Sequence, residues 1–513
     1  MRKTVKKLTA VGLTVTSVLG LVACGSSKGT TSQGTSENKE VTKPDTFTVM
    51  CDGTVVTETN GAEAFYKQLN EATGLDIKWT RPDHASYYDA VANAFNSDDT
   101  MPDVVLLSSD YYALYASNGF LWNMTDAWEH SETKNSGRLI STADNVLSAL
   151  MVNGEDGTKA MYGLSLYRGN GCCTYVKKAW LDKAGIDASK VKDVQMDFNT
   201  YYGYLKQMAQ TMGHYVISSP GFIHPEAPNT NYLPEFYQKA QYTFYKDTSG
   251  KYVDGFAQQE MKEALQRIQT AVNDGVIDKE SVNNSTANAR DKFYSTDPST
   301  ETGVFTYWAG TWANTLKTNL ANKGLDDELI AIKPIKELGA YTERIAPCWC
   351  ITSAAKNPEG IFKYFIDKML DGGDVQMLWT HGAKGTHWDD KAETVTVEKK
   401  EDQPKTYTEG QFHYLPGIEK PDQWQTKNHI DPILSIANFT NGYVGESLIP
   451  EVARENGEFF AENSQVAVPL PMTSELSNNI GDINTARTYV IAQVALGYMT
   501  VDEGMDYYNK TVG

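Results

Sequence analysis

Phe47-Thr48-Val49-Met50, Leu75-Asp76-Ile77-Lys78-Trp79 and Val104-Val105-Leu106-Leu107 are the runs whose reading decides the fold. The first two are short strand-like segments. The third is a continuous apolar run behind Pro102-Asp103, as a buried parallel strand would be. Two helical patterns separate them. Gly61 to Ala72 carries Ala64, Phe65 and Leu69 on one face, with Gly74 just past its end, and Ser86 to Phe95 is the second. This β-α-β-α-β order predicts a doubly wound parallel sheet. Ligands gather at the carboxyl ends of such strands. Here those ends are Cys51-Asp52-Gly53, Thr80-Arg81-Pro82-Asp83 and Ser108-Ser109-Asp110. Asp52 and Asp110 are therefore ligand candidates, with solvated-loop or capping roles as the alternative.

Further along, Met261, Leu265, Ile268 and Val272 keep helical spacing before Gly275. Asn357-Pro358-Glu359 starts a helix well, with Asn as cap, Pro in the first turn and Glu at the positive dipole end. Ile361, Phe362, Phe365, Ile366, Met369 and Leu370 form its apolar stripe, and Gly372-Gly373 ends it. Lys391 to Glu409 reads as a surface hairpin, and Thr485 to Lys510 as two helices broken near Gly497.

At the N-terminus, Arg2, Lys3, Lys6 and Lys7 precede an uncharged stretch from Leu8 to Ala23. That stretch is too short and too rich in Thr and Ser for a comfortable membrane span, and reads as a secretory signal. Leu21-Val22-Ala23-Cys24 resembles the bacterial lipobox, which implies an acylated Cys24 holding residues 24 onward to the outer face of a membrane. Ordinary cleavage near Ala23 is the alternative. Ser26 to Lys43 lacks any apolar cluster, so residues 24–44 read as a flexible tether.

The formal net charge is −19, and the signal segment holds four basic residues and no acidic one. The remaining body is thus more acidic still, which argues against a nucleic-acid partner and against direct docking on anionic lipid. Beside Cys24 stand Cys51, Cys172, Cys173, Cys348 and Cys350. An odd number at irregular spacing implies no disulfide framework, and leaves either one bridge or five buried thiols. The length exceeds that of a usual single domain, so two lobes are expected.

Five segments then occur in order. They are Ser109 to Leu121 with Met124-Thr125; Tyr162-Gly163-Leu164-Ser165; Tyr175 to Ile186, containing Trp180-Leu181-Asp182-Lys183; Lys356-Asn357-Pro358-Glu359; and Trp379 to Trp388, containing Gly385-Thr386-His387-Trp388. Together they resemble the extracellular solute-binding protein family 1 of ABC importers, in its larger LplA-type branch. Ser165 departs from that pattern, which has Pro there. The resemblance covers the chain from about Thr46 to the C-terminus. It implies an α/β, two-lobe, periplasmic-binding-protein-like fold of type II, each lobe a doubly wound sheet flanked by helices, with the ligand cleft between lobes. By analogy the chain crosses near Gly163, near Gly303 and near Thr352. Residues 45–162 plus 304–351 would form lobe 1, and 163–303 plus 352–513 lobe 2, after a signal peptide at 1–23.

A sugar site needs flat aromatic faces for stacking and polar side chains for hydroxyls, because a buried unpaired polar group costs ~1–3 kcal/mol. The chain is rich in aromatics to supply the faces, with 10 Trp and 29 Tyr. Trp308 and Trp312 are the leading pair: if helical after Gly310, they share a face at four-residue spacing, and core packing is the alternative. Arg344 suits adjacent hydroxyls or an acidic sugar. Trp349, between Cys348 and Cys350, points opposite to both thiols if that run is a strand. Either the indole faces the cleft or the thiols do, and the indole is the expectation here. Tyr167, Arg168 and Asn170 lie in a Gly-flanked polar loop just after the first crossover. As a dinucleotide motif that loop fails, since Thr174 occupies the last Gly position. Trp379, His381, Trp388 and Trp424 are weaker ligand candidates.

No catalytic or metal-binding spacing is present: no His-Glu-x-x-His, Cys-x-x-Cys, Gly-x-Ser-x-Gly or phosphate loop. Ser131-Lys134 and Ser353-Lys356 lack companion motifs, and Asp98-Asp99 and Asp389-Asp390 read as solvated surface. The sequence expectation is a non-enzymatic lipoprotein, lipid-anchored at the extracellular face through Cys24. It would be a monomer, without cofactor or metal, delivering a carbohydrate, an oligosaccharide by chain length, to ABC permease subunits. A secreted carbohydrate-active enzyme, which needs only two placed carboxylates, and a surface adhesin or sensor are the alternatives.

Overall fold

The structure, a computed structural model, describes residues 41–53, 61–222, 230–247, 249–325, 328–395, 405–415, 430–440, 449–467 and 474–512. The signal segment, Cys24, nearly all of the tether and Trp424 lie outside them.

The strands that build the frame are β1 (Thr46–Met50), β2 (Asp76–Thr80), β3 (Val104–Leu107), β4 (Cys172–Lys177), β5 (Val304–Trp308), β6 (Leu329–Ala331), β7 (Tyr341–Glu343), β8 (Cys348–Ile351) and β9 (Ser464–Val466). The first sheet has the order β8-β3-β1-β2. Its first three strands run parallel, as the sequence pattern predicts, and β8 closes it antiparallel with Cys348 opposite Leu107. Leu164 extends it through an antiparallel bridge to Trp349. Helices α1 (Ala62–Thr73) and α2 (Tyr87–Ala94) are the connections, followed by α3 (Ser109–Ser117). Phe65 and Leu69 of α1 are buried, and Gly74 stops the helix at φ 62°, a left-handed conformation that costs glycine little. The Tyr87 hydroxyl donates to Met50 O at 3.2 Å and Leu106 O at 2.7 Å, tying the ends of β1 and β3 together.

The second sheet has the order β6-β4-β5. Its ladders are antiparallel, with Cys172 opposite Trp308. Ile217 adds parallel bridges to Val304 and Ile277, so this sheet is mixed rather than uniformly parallel. Separate apolar cores lie under the two sheets. One joins Phe65, Val104, Trp349, Phe365 and Trp379, a second joins Trp180, Leu205, Leu265, Val304 and Val490, and a third joins Phe293, Phe305, Tyr307 and Phe460.

The strand pairing corrects the expected lobe boundaries. Residues 304–308 pair with β4 and sit in the second lobe, so the chain does not cross near Gly303. Nor does it cross near Thr352, because Ile361, Phe362, Phe365, Ile366, Met369 and Leu370 all join the first core. Among the described residues the chain leaves the first sheet between Leu164 and Cys172 and returns to it between Glu343 and Cys348, and Ile436 and Ala437 still belong to the first core. The helix α5 (Glu451–Asn463, numbered after α4, Thr311–Asn322) packs against α4 in the second lobe. Apolar runs such as Val304–Trp308 declare burial but not their hydrogen-bonding partner, and that partner decides the lobe.

The segments at and beside the crossings are bound to one another. β7 pairs with β9 in parallel, setting Glu343 opposite Val466. The Arg168 guanidinium forms a two-pronged, buried ion pair with Glu343 (3.0 and 2.9 Å), and Ser464 Oγ donates to the same carboxylate at 3.1 Å. Gly169 and Gly171 let the backbones touch, since a Cβ at either would run into the Arg344 or Thr342 carbonyl oxygen.

Elsewhere the local reading holds. Asn357 accepts from Gly360 N at 3.1 Å as a cap. Glu393–Val395 pairs with Lys405–Tyr407 in a hairpin. Helices Ser474–Ala495 and Val501–Val512 flank Gly497 at φ 77°. Cys51, Cys172, Cys173, Cys348 and Cys350 are all free and buried. Burial pushes the Cys173 and Cys348 thiols up to about 12, which leaves them inert as nucleophiles.

Candidate functional site

The register brings the edges of the two sheets to the same segments. The segment 165–171 feeds directly into β4, whose first residue lies opposite Trp308 at the end of β5. The segment 344–347 feeds into β8, whose first residue lies opposite Leu107 at the end of β3. The carboxyl ends of both sheets therefore abut the same crossing segments, which is where open α/β sheets take their ligands.

On the first-lobe edge, Asp52 follows β1 and is nearly buried. His84 Nδ1 lies 2.5 Å from its Oδ2. Tyr88 of α2 and Tyr111 of α3 stack with ring centroids 3.9 Å apart, and the Tyr88 hydroxyl accepts from Ser108 N at 2.8 Å. The sequence reading missed His84 and this tyrosine pair, although both stand within a few residues of the strand ends it singled out. Asp110 lies in the first turn of α3, and its side chain is outside the described residues.

The second-lobe edge is aromatic and cationic. Trp308 ends β5 half-buried, and the Arg344 guanidinium lies over its ring at 4.5 Å. Gly310 turns the chain at φ 67°, its N–H held by Asn456 Oδ1 of α5 at 2.7 Å. Trp312 then begins α4, 36% exposed and edge-on to Tyr307 at 5.1 Å. The expectation of one shared helical face is corrected: Trp308 is in a strand, Trp312 is in a helix, and the two flank the turn between them. Arg290 joins this edge from the helix Thr286–Phe293. It donates to the Tyr307 hydroxyl at 2.9 Å and lies 5.5 Å from the Trp312 ring. Nothing in the sequence near Arg290 marks it, because folding alone brings that helix to β5.

Arg344 is exposed, and its Nε donates to Gly169 O at 2.7 Å. Asn170, at φ 59°, clamps the hinge: its carbonyl accepts from Arg344 N at 3.0 Å, its Oδ1 from Gly171 N at 2.8 Å, and its Nδ2 donates to Ala309 O at 3.1 Å. Tyr167 is half-buried and bridges Ser435, and burial pushes its hydroxyl pKa up.

Three sequence candidates are corrected by burial. Arg168 is 3% exposed and committed to Glu343. Trp349 is 1% exposed, edge-on to Phe365 and Trp379, and Cys348 and Cys350 on the other face of β8 are equally buried. That strand is covered on both sides, so period-two alternation does not expose either face. Trp379 is 1% exposed, between Trp349 and Phe65. His381 is buried with its Nδ1 2.6 Å from the Tyr414 hydroxyl. Trp388 donates to Gly382 O at 2.8 Å and packs on Phe412. Asp389, read as solvated, is buried beside Lys391 at 3.2 Å. Among the described residues no three His, Cys, Asp or Glu side chains converge as a metal ion would need.

No family model matches the chain, and no curated protein matches it. Solved structures do match. The extracellular solute-binding protein family 1 structure from Alicyclobacillus acidocaldarius subsp. acidocaldarius is 14% identical at a TM-score of 0.59, over 91% of this chain and 98% of that one. The N-glycan transport solute-binding protein of Streptococcus pneumoniae is 17% identical at 0.55, over 91% and 95%. The HMO-binding, ABC-transporter-associated solute-binding protein from Bifidobacterium longum infantis is 14% identical at 0.55, again over 91% and 95%. The chain thus has the two-lobe fold of the type II periplasmic solute-binding proteins.

Proposed function

We propose that this protein is an extracellular solute-binding lipoprotein, not an enzyme, that captures an oligosaccharide between its lobes and delivers it to the permease subunits of an ABC importer. The observation that carries the reading is the pair of tryptophans, Trp308 and Trp312, at the carboxyl edge of the second sheet, directly beside the crossing segments. Indole faces there meet the C–H faces of sugar rings, and Asp52, Tyr167, Asn170 and Arg344 stand within the same frame for hydroxyls. The solved relatives support it, since their names concern solute and glycan binding. Ligand would bridge both edges and shift the population toward a closed form. Acylated Cys24 would keep the protein near its permease, as a monomer whose further membrane contact is that lipid alone.

A thermal-shift screen against mono-, di- and oligosaccharides, with peptides and polyamines beside them, tests this. A native-state ligand at a hundredfold excess over its Kd adds about 2.7 kcal/mol of stability. A saccharide hit that disappears in Trp308→Ala or Trp312→Ala is the expected result. A response only to peptides or polyamines would remove the carbohydrate half of the proposal.

A further inference from the structure

The second-lobe edge carries two guanidinium groups, and neither has a carboxylate partner among the described residues. Arg290 spends one N–H on the Tyr307 hydroxyl and stands over the Trp312 ring. Arg344 spends its Nε–H on Gly169 O and stands over the Trp308 ring. A guanidinium has five N–H donors in a rigid fork, so most of the donors on each arginine are uncommitted. Arg168, Arg454 and Arg487 pair with Glu343, Glu458 and Asp254, whereas Arg138 and Arg267, like Arg344, donate to main-chain carbonyl oxygens. Across the hinge, Asp52 is engaged with His84. Asp431 acts with Arg344 on the Tyr167 hydroxyl, and Asp291 acts with Arg290 on the Tyr294 hydroxyl.

We infer that the cleft selects a saccharide bearing an oxyanion, a uronate carboxylate or a sulfate ester, which Arg344 and Arg290 read while Trp308 and Trp312 take the sugar rings. This rests on the carbohydrate reading above and narrows it. Each arginine is oriented beforehand by one hydrogen bond and one indole, so its free edge meets an oxyanion with little further ordering. Two parallel N–H···O bonds to an anion are stronger than the same bonds to neutral hydroxyls. The planar carboxylate and the tetrahedral sulfate share this chemistry, and the test separates them.

The full chain is titrated calorimetrically with trigalacturonate and its carboxyl-reduced trisaccharide, and with a sulfated galactan trisaccharide and its desulfated form. The acidic member of at least one pair should bind about tenfold or more tightly than its neutral partner, with the ratio shrinking as salt rises. Arg344→Gln and Arg290→Gln should each weaken the acidic sugar by a larger factor than its neutral partner, so that most of that ratio is lost. Arg344→Lys, which keeps the charge and loses the fork, should fall between. A cooperative melt shows that each variant is folded. Neutral sugars binding as tightly as acidic ones would overturn the inference while leaving carbohydrate capture standing. Equal loss of both ligands in the glutamine variants would also overturn it, as would silence from all four sugars. A hit from another neutral sugar in the wider screen would then show that the function itself survives.

Discussion

Trp349 and Trp312 are the same residue type in opposite circumstances, and substitution separates them. Trp349 is enclosed by Phe365 and Trp379, so Trp349→Ala leaves a cavity and should cost about 3–5 kcal/mol by denaturant unfolding, with affinity retained in what stays folded. Trp312 is partly solvent-exposed, so Trp312→Ala should change stability by no more than about 1 kcal/mol and should lower ligand affinity. Arg168 and Glu343 belong with Trp349. Removing either alone leaves a buried charge without its partner and should cost about 3–5 kcal/mol, whereas Arg168→Met with Glu343→Leu should cost much less. Glu235 is a different kind of residue. It is buried, with the Tyr341 hydroxyl 3.2 Å from its Oε1, and burial pushes its pKa up to about 7 from 4.5. The folded state therefore binds a proton that the unfolded state has released between those values. Stability should fall as pH rises from about 4.5 to about 7, and thermal melts of Glu235→Gln across that range should show a shallower decline than the parent.

At the scale of elements, the hinge is the part with least tolerance. The crossing strands touch through Gly169 and Gly171, and a methyl group at either meets a carbonyl oxygen. Gly169→Ala should destabilise the protein by about 2 kcal/mol or more, measured as a lowered urea midpoint. The same elements show how far sequence reaches. β1 to β3, with α1 and α2, were legible because each carries its own period, its own stop signal and a local connection. The helix after Asn357 was legible for the same reason, as was the break at Gly497. The partner of β5 was not, because Val304-Phe305-Thr306-Tyr307-Trp308 satisfies either sheet equally well, and its pairing with β4 spans more than a hundred residues. Arg290 escaped notice on the same ground, while Trp308, Trp312 and Arg344 were singled out as candidates because aromatic and guanidinium groups near a turn are conspicuous alone. Trp349 misled because an alternating strand reads as one-sided, and β8 is covered on both sides.

For the whole molecule, separately packed lobes joined by crossing segments make relative motion of the lobes the natural response to a ligand. The ends of β3 and β5 both lie at the hinge, so a sugar held by Trp308 and Trp312 on one side and by the Asp52 and Tyr111 edge on the other would favour the closed arrangement. A ligand moves that balance by its differential affinity for the two forms. Small-angle X-ray scattering of the full chain, titrated with the saccharide that raises its melting midpoint most, is the most direct test. The account predicts a radius of gyration that falls saturably with the same midpoint as binding, and no fall in Trp312→Ala. A radius unchanged at full occupancy would contradict capture by closure.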